Sequence, residues 1–174
     1  FGRPKWVFPK KIIYLQTMKN KIKLFACDVD GVLTDGSITY SDNGVSAVEI
    51  KSFNSKDGLG LALLHKKGIK TAFITARTSE AVKRRASELH IDHVCQGVSD
   101  KGQVLKELMD LYKVSSSEVA YVGDDLPDLP ALLLSGFPCC PADAVEEVKK
   151  VCKYVSSFNG GRGAIRQICD MVRG

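Results

Sequence analysis

From residue 23 onward, short apolar runs rich in β-branched residues alternate with stretches of helical periodicity. This alternation is typical of βαβ units, whose parallel strands are covered by helices on both faces. Six strands are predicted, at residues 23–29, 71–74, 93–96, 119–122, 137–140 and, more weakly, 154–156. Helices are clearest at residues 79–89, where Ser79 can cap the free N–H groups, and at 101–112. The sequence therefore predicts an α/β fold with a doubly wound parallel sheet.

Residues 37–53 interrupt this alternation. Two extended runs flank Ser41-Asp-Asn-Gly, and the Asn43-Gly44 pair favours a tight type I′ turn. We therefore expect a β-hairpin that projects from the sheet. Its apolar side chains are Ile38, Tyr40, Val45, Val48 and Ile50. Because an isolated two-stranded ribbon is at best marginally stable in water, this side is predicted to need a partner surface.

Charge and hydropathy exclude two classes of partner. The net charge of +5 comes from seven basic residues that precede residue 24 with no acid among them, and the rest of the chain carries 18 basic and 20 acidic residues. The rest of the chain therefore lacks the excess of positive charge that is typical of a nucleic-acid-binding domain. No apolar run approaches the roughly 20 residues that a membrane span needs, so we expect no membrane partner.

The amino-terminal residues differ from the rest of the chain. Residues 1–21 are predicted to be a basic leader or linker, and 22–174 a single domain. Met18 is a plausible start, no secretory signal is evident, and the end of an upstream domain stays open as an alternative. The six cysteines show no CxxC spacing, which indicates buried, reduced thiols of a cytoplasmic protein.

Acidic side chains follow two of the predicted strands. Asp28 and Asp30 come at the end of the first strand, where residues i and i+2 point to the same side. The run Val122-Gly-Asp-Asp-Leu-Pro-Asp adds Asp124, Asp125 and Asp128 at the end of another. Open α/β sheets bind ligands at this edge, and converging carboxylates suit a hard divalent ion such as Mg²⁺.

Two further residues complete the pattern. Thr75 ends a strand, and Lys101 begins a helix. A hydroxyl, an ammonium group and Mg²⁺ are what a phosphoryl group needs, because its oxygens all carry charge during transfer. Each feature alone is weak, since acids at strand ends often only cap the next helix. Their joint occurrence in this order, each at the correct end of its element, predicts phosphoryl transfer.

This order of motifs resembles the haloacid dehalogenase superfamily of phosphatases, over residues 22–174. The resemblance implies that Asp28 is the nucleophile and forms an aspartyl-phosphate. Asp30 would protonate the leaving alkoxide and then deprotonate the hydrolytic water. It must therefore start protonated, a state that crowding by Asp28 and Asp124 would favour.

The same resemblance implies the remaining roles. Mg²⁺ would be held by Asp28, by the backbone carbonyl of Asp30 and by Asp124. Thr75 and Lys101 match phosphate-binding positions, and the acids that support the metal shell are Asp125 and Asp128. Ala76 stands where relatives usually carry Gly, which removes no functional group.

The spacing of the motifs indicates a branch without a cap domain. Only 43 residues separate Gly31 from Thr75, and 25 separate Thr75 from Lys101, so neither gap holds a folded cap. The capless architecture, the hairpin, and residues 49–58 and 159–166 together resemble the 3-deoxy-D-manno-octulosonate 8-phosphate (KDO 8-phosphate) phosphatases. That resemblance implies a phosphorylated sugar acid as substrate, a place in lipopolysaccharide biosynthesis, and a cytoplasmic homotetramer whose hairpins cover neighbouring active sites.

We expect the substrate to be bound by Lys56, Arg77 and Arg162, near the place where the hairpin of one subunit meets the active site of its neighbour. Lys56 stands where these phosphatases usually have Arg, so it keeps the charge but loses the fork geometry. KDN 9-phosphate-type phosphatases, which act on a nine-carbon ulosonate, tend to carry Glu where this chain has Arg77 and Arg162. Two arginines suit a substrate with both phosphate and carboxylate, which favours the eight-carbon substrate.

A second class of function stays open. The carboxy-terminal domain of animal CMP-sialate synthetases resembles this family and is a non-catalytic assembly module. Such domains tend to lose part of the final Gly-Asp-Asp run. Because that run and the other acids are intact here, the sequence favours catalysis.

Overall fold

The computed structural model describes residues 21–42, 44 and 47–174. The predicted leader therefore lies outside the described residues except for Lys21. The strands are β1 (Leu24–Cys27), β2 (Thr39–Asp42), β3 (Ala47–Ile50), β4 (Lys70–Ile74), β5 (His93–Cys95), β6 (Val119–Val122), β7 (Phe137–Cys140) and β8 (Tyr154–Val155). The α-helices are α1 (Ser55–Lys66), α2 (Glu80–Glu88), α3 (Lys101–Tyr112), α4 (Leu129–Leu134), α5 (Glu146–Val151) and α6 (Ala164–Arg173). Short 3₁₀ turns occupy Ser116–Glu118 and Leu126–Asp128.

Six strands form one parallel sheet in the order β5-β4-β1-β6-β7-β8. The chain adds strands on one side of β1 as far as β5 and then returns to add β6, β7 and β8 on the other side. This reversal creates a crevice at the carboxyl ends of β1 and β6, where open α/β sheets bind ligands. The predicted doubly wound fold is confirmed, and the ends of β1 and β6 carry Asp28 and Asp124.

The two faces of the sheet bury separate apolar cores, as the period-two alternation of strand side chains requires. Phe25 and Cys27 of β1 belong to the core that α1, α2 and α6 cover. Leu24 and Ala26 belong to the opposite core, under α3, α4 and α5. Helices on both faces fix the strand ends, and therefore the crevice, on a rigid support.

Several predicted boundaries shift. β1 ends at Cys27 rather than at residue 29, because the Val29 carbonyl accepts hydrogen bonds from the N–H groups of Leu33 and Thr34 and so starts a turn. Asp30 therefore comes from this turn and not from an extended strand. Ser79 occupies the cap position of α2, but its side chain makes no capping hydrogen bond.

The predicted hairpin is present as the antiparallel pair β2 and β3. Its register pairs Asp42 with Ala47, which leaves residues 43–46 to join the strands. The predicted turn at Asn43-Gly44 includes Asn43, which lies outside the described residues, so the type I′ turn stays a prediction. Between β1 and β4, the described chain contains the hairpin and α1 and no cap domain. Among the helices described, none has both the length and the apolar character to cross a membrane.

Candidate active site

The carboxyl ends of β1, β4 and β6 open into a cavity of about 270 Å³. Eight of the ten predicted site residues line it: Asp28, Asp30, Thr75, Arg77, Lys101, Asp124, Asp125 and Asp128. Lys56 and Arg162 are the two that do not. The chain thus brings residues from four separate motifs to one place.

Asp28 lies at the floor of this cavity and is only 8% exposed. Its backbone N–H donates to the Val122 carbonyl (2.9 Å), which ties the start of the loop after β1 to β6. One carboxylate oxygen, Oδ2, lies 2.8 Å from Lys101 Nζ. The other, Oδ1, is buried and has no hydrogen-bond partner within the described part of the chain. Asp28 is therefore oriented through one oxygen and keeps the other available for a ligand or a reacting group.

Lys101 bridges two carboxylates from the first position of α3. Its Nζ lies 2.8 Å from Asp28 Oδ2 and 2.8 Å from Asp128 Oδ1, and the residue is 3% exposed. Burial by itself would lower the pKa of Lys101, but the two carboxylates outweigh it and raise the pKa above its usual value. The lysine therefore supplies a fixed positive charge at the floor of the cavity.

Asp124 brings a second unpaired carboxylate oxygen to the site. Oxygens of Asp28, Asp124 and Asp128 lie within 4.8 Å of one another, and Oδ1 of Asp124 is buried without a hydrogen-bond partner in the described structure. Burial and the charges of Asp28 and Asp128 raise the pKa of Asp124 to about 8. Burial and the charge of Asp128 also raise the pKa of Asp28 to about 6, against the opposing effect of Lys101.

Two carboxylates whose unpaired oxygens are buried are unfavourable unless a cation compensates them. Mg²⁺ fits this pair, since it is bound in proteins through one or two carboxylates together with phosphate and water. The backbone of Gly31 also packs closely against the carboxylate of Asp124. A Cβ at this position would lie 2.0 Å from Asp124 Oδ2, and the backbone φ of +79° favours glycine. Gly31 thus leaves room for the carboxylate of Asp124.

Asp128 acts differently from the other two acids, because hydrogen bonds already occupy both of its oxygens. Oδ1 accepts from Lys101 Nζ and from the Tyr121 hydroxyl, each at 2.8 Å. Oδ2 accepts from the backbone N–H groups of Asp124 (3.0 Å) and Asp125 (3.4 Å). Four donors match the roughly four acceptor sites of a carboxylate, so Asp128 is equipped to position its neighbours. The exposed carboxylate of Asp125 accepts from the Leu126 N–H (2.7 Å) and caps the 3₁₀ turn.

Thr75 is buried at the end of β4, and its Oγ1 accepts a hydrogen bond from the Arg77 N–H (3.2 Å). Its own backbone is bound on both sides, since its N–H donates to Cys95 and its carbonyl accepts from Val98. The hydroxyl therefore has a fixed position facing the cavity and keeps its proton for a ligand.

Asp30 was expected to have acidic neighbours, but in the structure its neighbours are basic. Its carboxylate pairs with the Lys51 ammonium group, and Arg77 Nε lies 3.9 Å away. Lys51 Nζ is also 3.4 Å from Glu49, which in turn accepts from Arg77 Nη2 at 2.7 Å. Because Asp30 sits in a turn beside the root of the hairpin, its immediate partners are cations.

Sequence reasoning missed Lys51, whose side chain is only 2% exposed. A signal was present in the spacing of the hairpin residues: Glu49 and Lys51 are two residues apart in a predicted extended run and so lie on one side of the ribbon. Tyr40 is the cross-strand partner of Glu49, and its hydroxyl accepts a hydrogen bond from Arg77 (3.4 Å). This side of the hairpin is polar and contacts the site of its own chain. Val48 and Ile50 point away and are 55% and 47% exposed.

Lys56 and Arg162 lie outside the cavity. Together they line a neighbouring groove of about 210 Å³ beside α6. Arg162 is exposed and pairs with Asp35 at 3.0 Å. Within a single chain, therefore, Arg77 is the member of the predicted substrate-binding set that lines the cavity.

Comparisons with known proteins agree with this geometry. A sequence model of the haloacid dehalogenase-like hydrolase family matches residues 93–168. The 3-deoxy-D-manno-octulosonate 8-phosphate phosphatase of Yersinia pestis is 40% identical over 151 residues, which cover 87% of this chain and 79% of that protein. The Escherichia coli K12 protein of the same name is 39% identical with the same coverage.

Solved structures give the same result. The 3-deoxy-D-manno-octulosonate 8-phosphate phosphatase of Moraxella catarrhalis, solved with a magnesium ion, a phosphate ion and KDO, superposes with a TM-score of 0.87 and 42% identity. The match covers 91% of this chain and 90% of that one. The cobalt-bound phosphatase of Haemophilus influenzae has a TM-score of 0.81 and 39% identity, over 87% of each chain.

Proposed function

This chain belongs to the haloacid dehalogenase-like hydrolases and is a Mg²⁺-dependent phosphatase, and we propose that its substrate is 3-deoxy-D-manno-octulosonate 8-phosphate. The observation that carries this proposal is the arrangement of Asp28, with one oxygen held by Lys101 and the other unpaired in the cavity. A carboxylate held in this way can approach phosphorus in line, while the lysine offsets its charge. Relatives that carry this substrate in their names resemble nearly the whole described chain.

In the first half of the proposed reaction, Asp28 attacks the phosphorus atom. A bond forms between its carboxylate oxygen and phosphorus, and the ester bond to the sugar oxygen breaks. In the free site the Asp30 carboxylate is paired with Lys51 and lies near Arg77. Asp30 must therefore take up a proton as the negatively charged substrate binds, and it gives this proton to the departing alkoxide and becomes a carboxylate again. The Lys51 ammonium group, already paired with Asp30, stabilises that carboxylate.

In the second half, Asp30 takes a proton from water, whose oxygen then attacks the phosphorus of the aspartyl-phosphate. The bond to Asp28 breaks, inorganic phosphate leaves, and both aspartates return to their starting states. Throughout, Lys101 and the Thr75 hydroxyl hold phosphoryl oxygens. Asp28, the Asp30 carbonyl and Asp124 would hold Mg²⁺, which would supply positive charge to the phosphoryl group.

The cations around the cavity support a substrate with a second negative group. Arg77 lines the cavity and has a planar fork that suits a carboxylate. We assign the sugar acid carboxylate to Arg77, with Lys56 and Arg162 at the outer rim. Because Glu49 occupies Arg77 at 2.7 Å, the incoming carboxylate competes with Glu49 for this guanidinium.

We also propose a cytoplasmic homotetramer in which hairpins cover neighbouring sites. The outward side of the hairpin supports this assembly, since Val48 and Ile50 are 55% and 47% exposed. Lys56 and Arg162 lie outside the cavity of their own chain, and a neighbour could bring them to one. All six cysteines are unpaired, as expected of a reducing compartment.

Sedimentation velocity tests the assembly, with Val48→Asp as the variant. The buried charge should dissociate the tetramer and lower kcat/KM, whereas Leu133→Asp, at an exposed position on α4, should do neither. A wild-type monomer with full activity would refute the shared site.

The substrate is tested by phosphate release with Mg²⁺ across eight- and nine-carbon ulosonate phosphates, hexose phosphates and nucleotides. We expect the highest kcat/KM for the eight-carbon ulosonate phosphate. Preference for the nine-carbon compound would identify a KDN 9-phosphate-type phosphatase instead. Turnover of no phosphomonoester would favour the assembly-module alternative.

A further inference from the structure

Among the described residues, Tyr121 is the largest fully buried side chain, and it lies on β6, three residues before Asp124. Its hydroxyl donates to Asp128 Oδ1 at 2.8 Å in a buried hydrogen bond. Apolar residues of the sheet and of α3 and α4 surround its ring. Tyr121 does not line the active-site cavity, so it reaches the site only through Asp128.

Asp128 connects this hydroxyl with both halves of the catalytic centre. Through Oδ1 it holds Lys101, whose Nζ also contacts Asp28. Through Oδ2 it holds the backbone N–H of Asp124. A small rotation of the Asp128 carboxylate therefore moves the ammonium group away from Asp28 and loosens the loop that carries Asp124.

We propose that Tyr121 is a positioning residue for phosphoryl transfer, whose hydroxyl fixes the orientation of Asp128 and, through it, Lys101 and the Asp124 loop. Asp128 Oδ1 has two donors, and one of them is the Lys101 ammonium group, which is carried by a long side chain and shared with Asp28. The other is carried by a rigid ring packed in the core. Of the two donors to Oδ1, the phenolic hydroxyl is therefore the one held by the core, and together with the N–H groups of Asp124 and Asp125 on Oδ2 it fixes the plane of the carboxylate.

A tyrosine is favoured at this position because the buried carboxylate of Asp128 needs a hydrogen-bond donor for each of its acceptor sites. Asp128 is completely buried, and a buried carboxylate with an unfilled acceptor site is costly. Phe would pack equally well but would leave Oδ1 with Lys101 as its sole donor. The carboxylate would then turn towards Lys101 and draw Nζ away from Asp28. Displacements of about 1 Å in a catalytic constellation can lower rates by about a hundredfold.

The test is Tyr121→Phe, assayed at saturating Mg²⁺ with any phosphomonoester that the wild-type enzyme hydrolyses. The inference rests on phosphatase activity and not on the sugar acid, so a different preferred substrate would overturn the substrate proposal and leave this test intact. We expect kcat to fall at least tenfold while KM changes less than twofold, because the residue orients the reacting groups and does not touch the substrate.

A matched control is Tyr112→Phe. Tyr112 ends α3, roughly 16 Å along the helix from Lys101, and its hydroxyl contacts His93 Nε2 at the opposite edge of the sheet. Both variants lose one hydrogen-bonded hydroxyl, so both should have a lower Tm, but only Tyr121→Phe should lose kcat. Unchanged kcat in Tyr121→Phe, or an equal loss in both variants, would refute the proposal.

A double-mutant cycle tests the route through Asp128. In an Asp128→Asn background, adding Tyr121→Phe should change kcat by less than twofold, because the acceptor that transmits the effect is already altered. A further tenfold loss would show that Tyr121 acts through another contact, which would overturn this assignment.

Discussion

The affinity for Mg²⁺ should depend steeply on pH, because protons compete with the metal for the same two carboxylates. In the metal-free protein the pKa of Asp124 is about 8 and that of Asp28 about 6. Metal binding requires both groups to be ionised and therefore releases their protons. From these two values, the apparent Kd for Mg²⁺ should fall about a hundredfold between about pH 6 and pH 8, with the larger part of the change below pH 7.

The raised pKa values of Asp28 and Asp124 also predict how the stability of the metal-free protein depends on pH. A carboxyl group whose pKa is raised on folding contributes stability at low pH, and that contribution is lost as the pH rises through the folded-state value. The Tm of the metal-free protein should therefore decrease as the pH rises above the ordinary carboxyl pKa of 3.8, with the loss complete near pH 6 for Asp28 and near pH 8 for Asp124. Added Mg²⁺ should raise the Tm more at the higher pH.

Isothermal titration calorimetry in buffers of different ionisation enthalpy measures both the Kd and the protons released. At pH 7 we expect about one proton per Mg²⁺, nearly all of it from Asp124. Asp124→Asn is the matched variant, since it removes this proton while keeping the size of the side chain. It should bind Mg²⁺ weakly and with a much flatter pH dependence. A wild-type Kd that is constant between these pH values would refute the reasoning.

Three further outcomes follow from the site. Asp28→Asn should abolish turnover and leave the circular dichroism spectrum unchanged, because an amide of similar size is a poor nucleophile; activity near that of wild type would exclude Asp28 as the nucleophile. Gly31→Ala should weaken Mg²⁺ activation at least tenfold, since its Cβ would displace the carboxylate of Asp124, and a normal activation curve would contradict this. Lys51→Met should lower kcat about tenfold by removing the cation that pairs with Asp30, whereas Lys51→Arg should retain most of the activity; equal loss in both would indicate a packing role.

The position of the main site could be predicted from sequence because each motif directly follows or begins a regular element. Asp28 follows β1, Thr75 follows β4, and Lys101 begins α3. The parallel topology brings these ends to one edge of the sheet, so strand order did not have to be known in detail. Errors of one or two residues in strand boundaries, as in β1, did not move any of these side chains out of the cavity.

The contacts of the hairpin could not be predicted in the same way. The pairing of Lys51 with Asp30 depends on how a projecting ribbon leans over the sheet, and the sequence pattern does not encode that angle. The register of the hairpin, which pairs Thr39 with Ile50 and Asp42 with Ala47, was not predicted, because the residues of the turn alone do not determine it.

Asp128 shows a second limit of sequence reasoning, since its spacing matched an acid that supports the metal shell but did not reveal its partners. The hydroxyl of Tyr121 lies in a strand that reads simply as buried and apolar, Val119–Val122. Such a hydroxyl forms a hydrogen bond only if the following turn brings a carboxylate next to it, and the sequence does not show which carboxylate that is. Here the 3₁₀ turn Leu126–Asp128 returns the chain towards β6, so the hydroxyl of a residue predicted as core also contacts the carboxylate that holds Lys101.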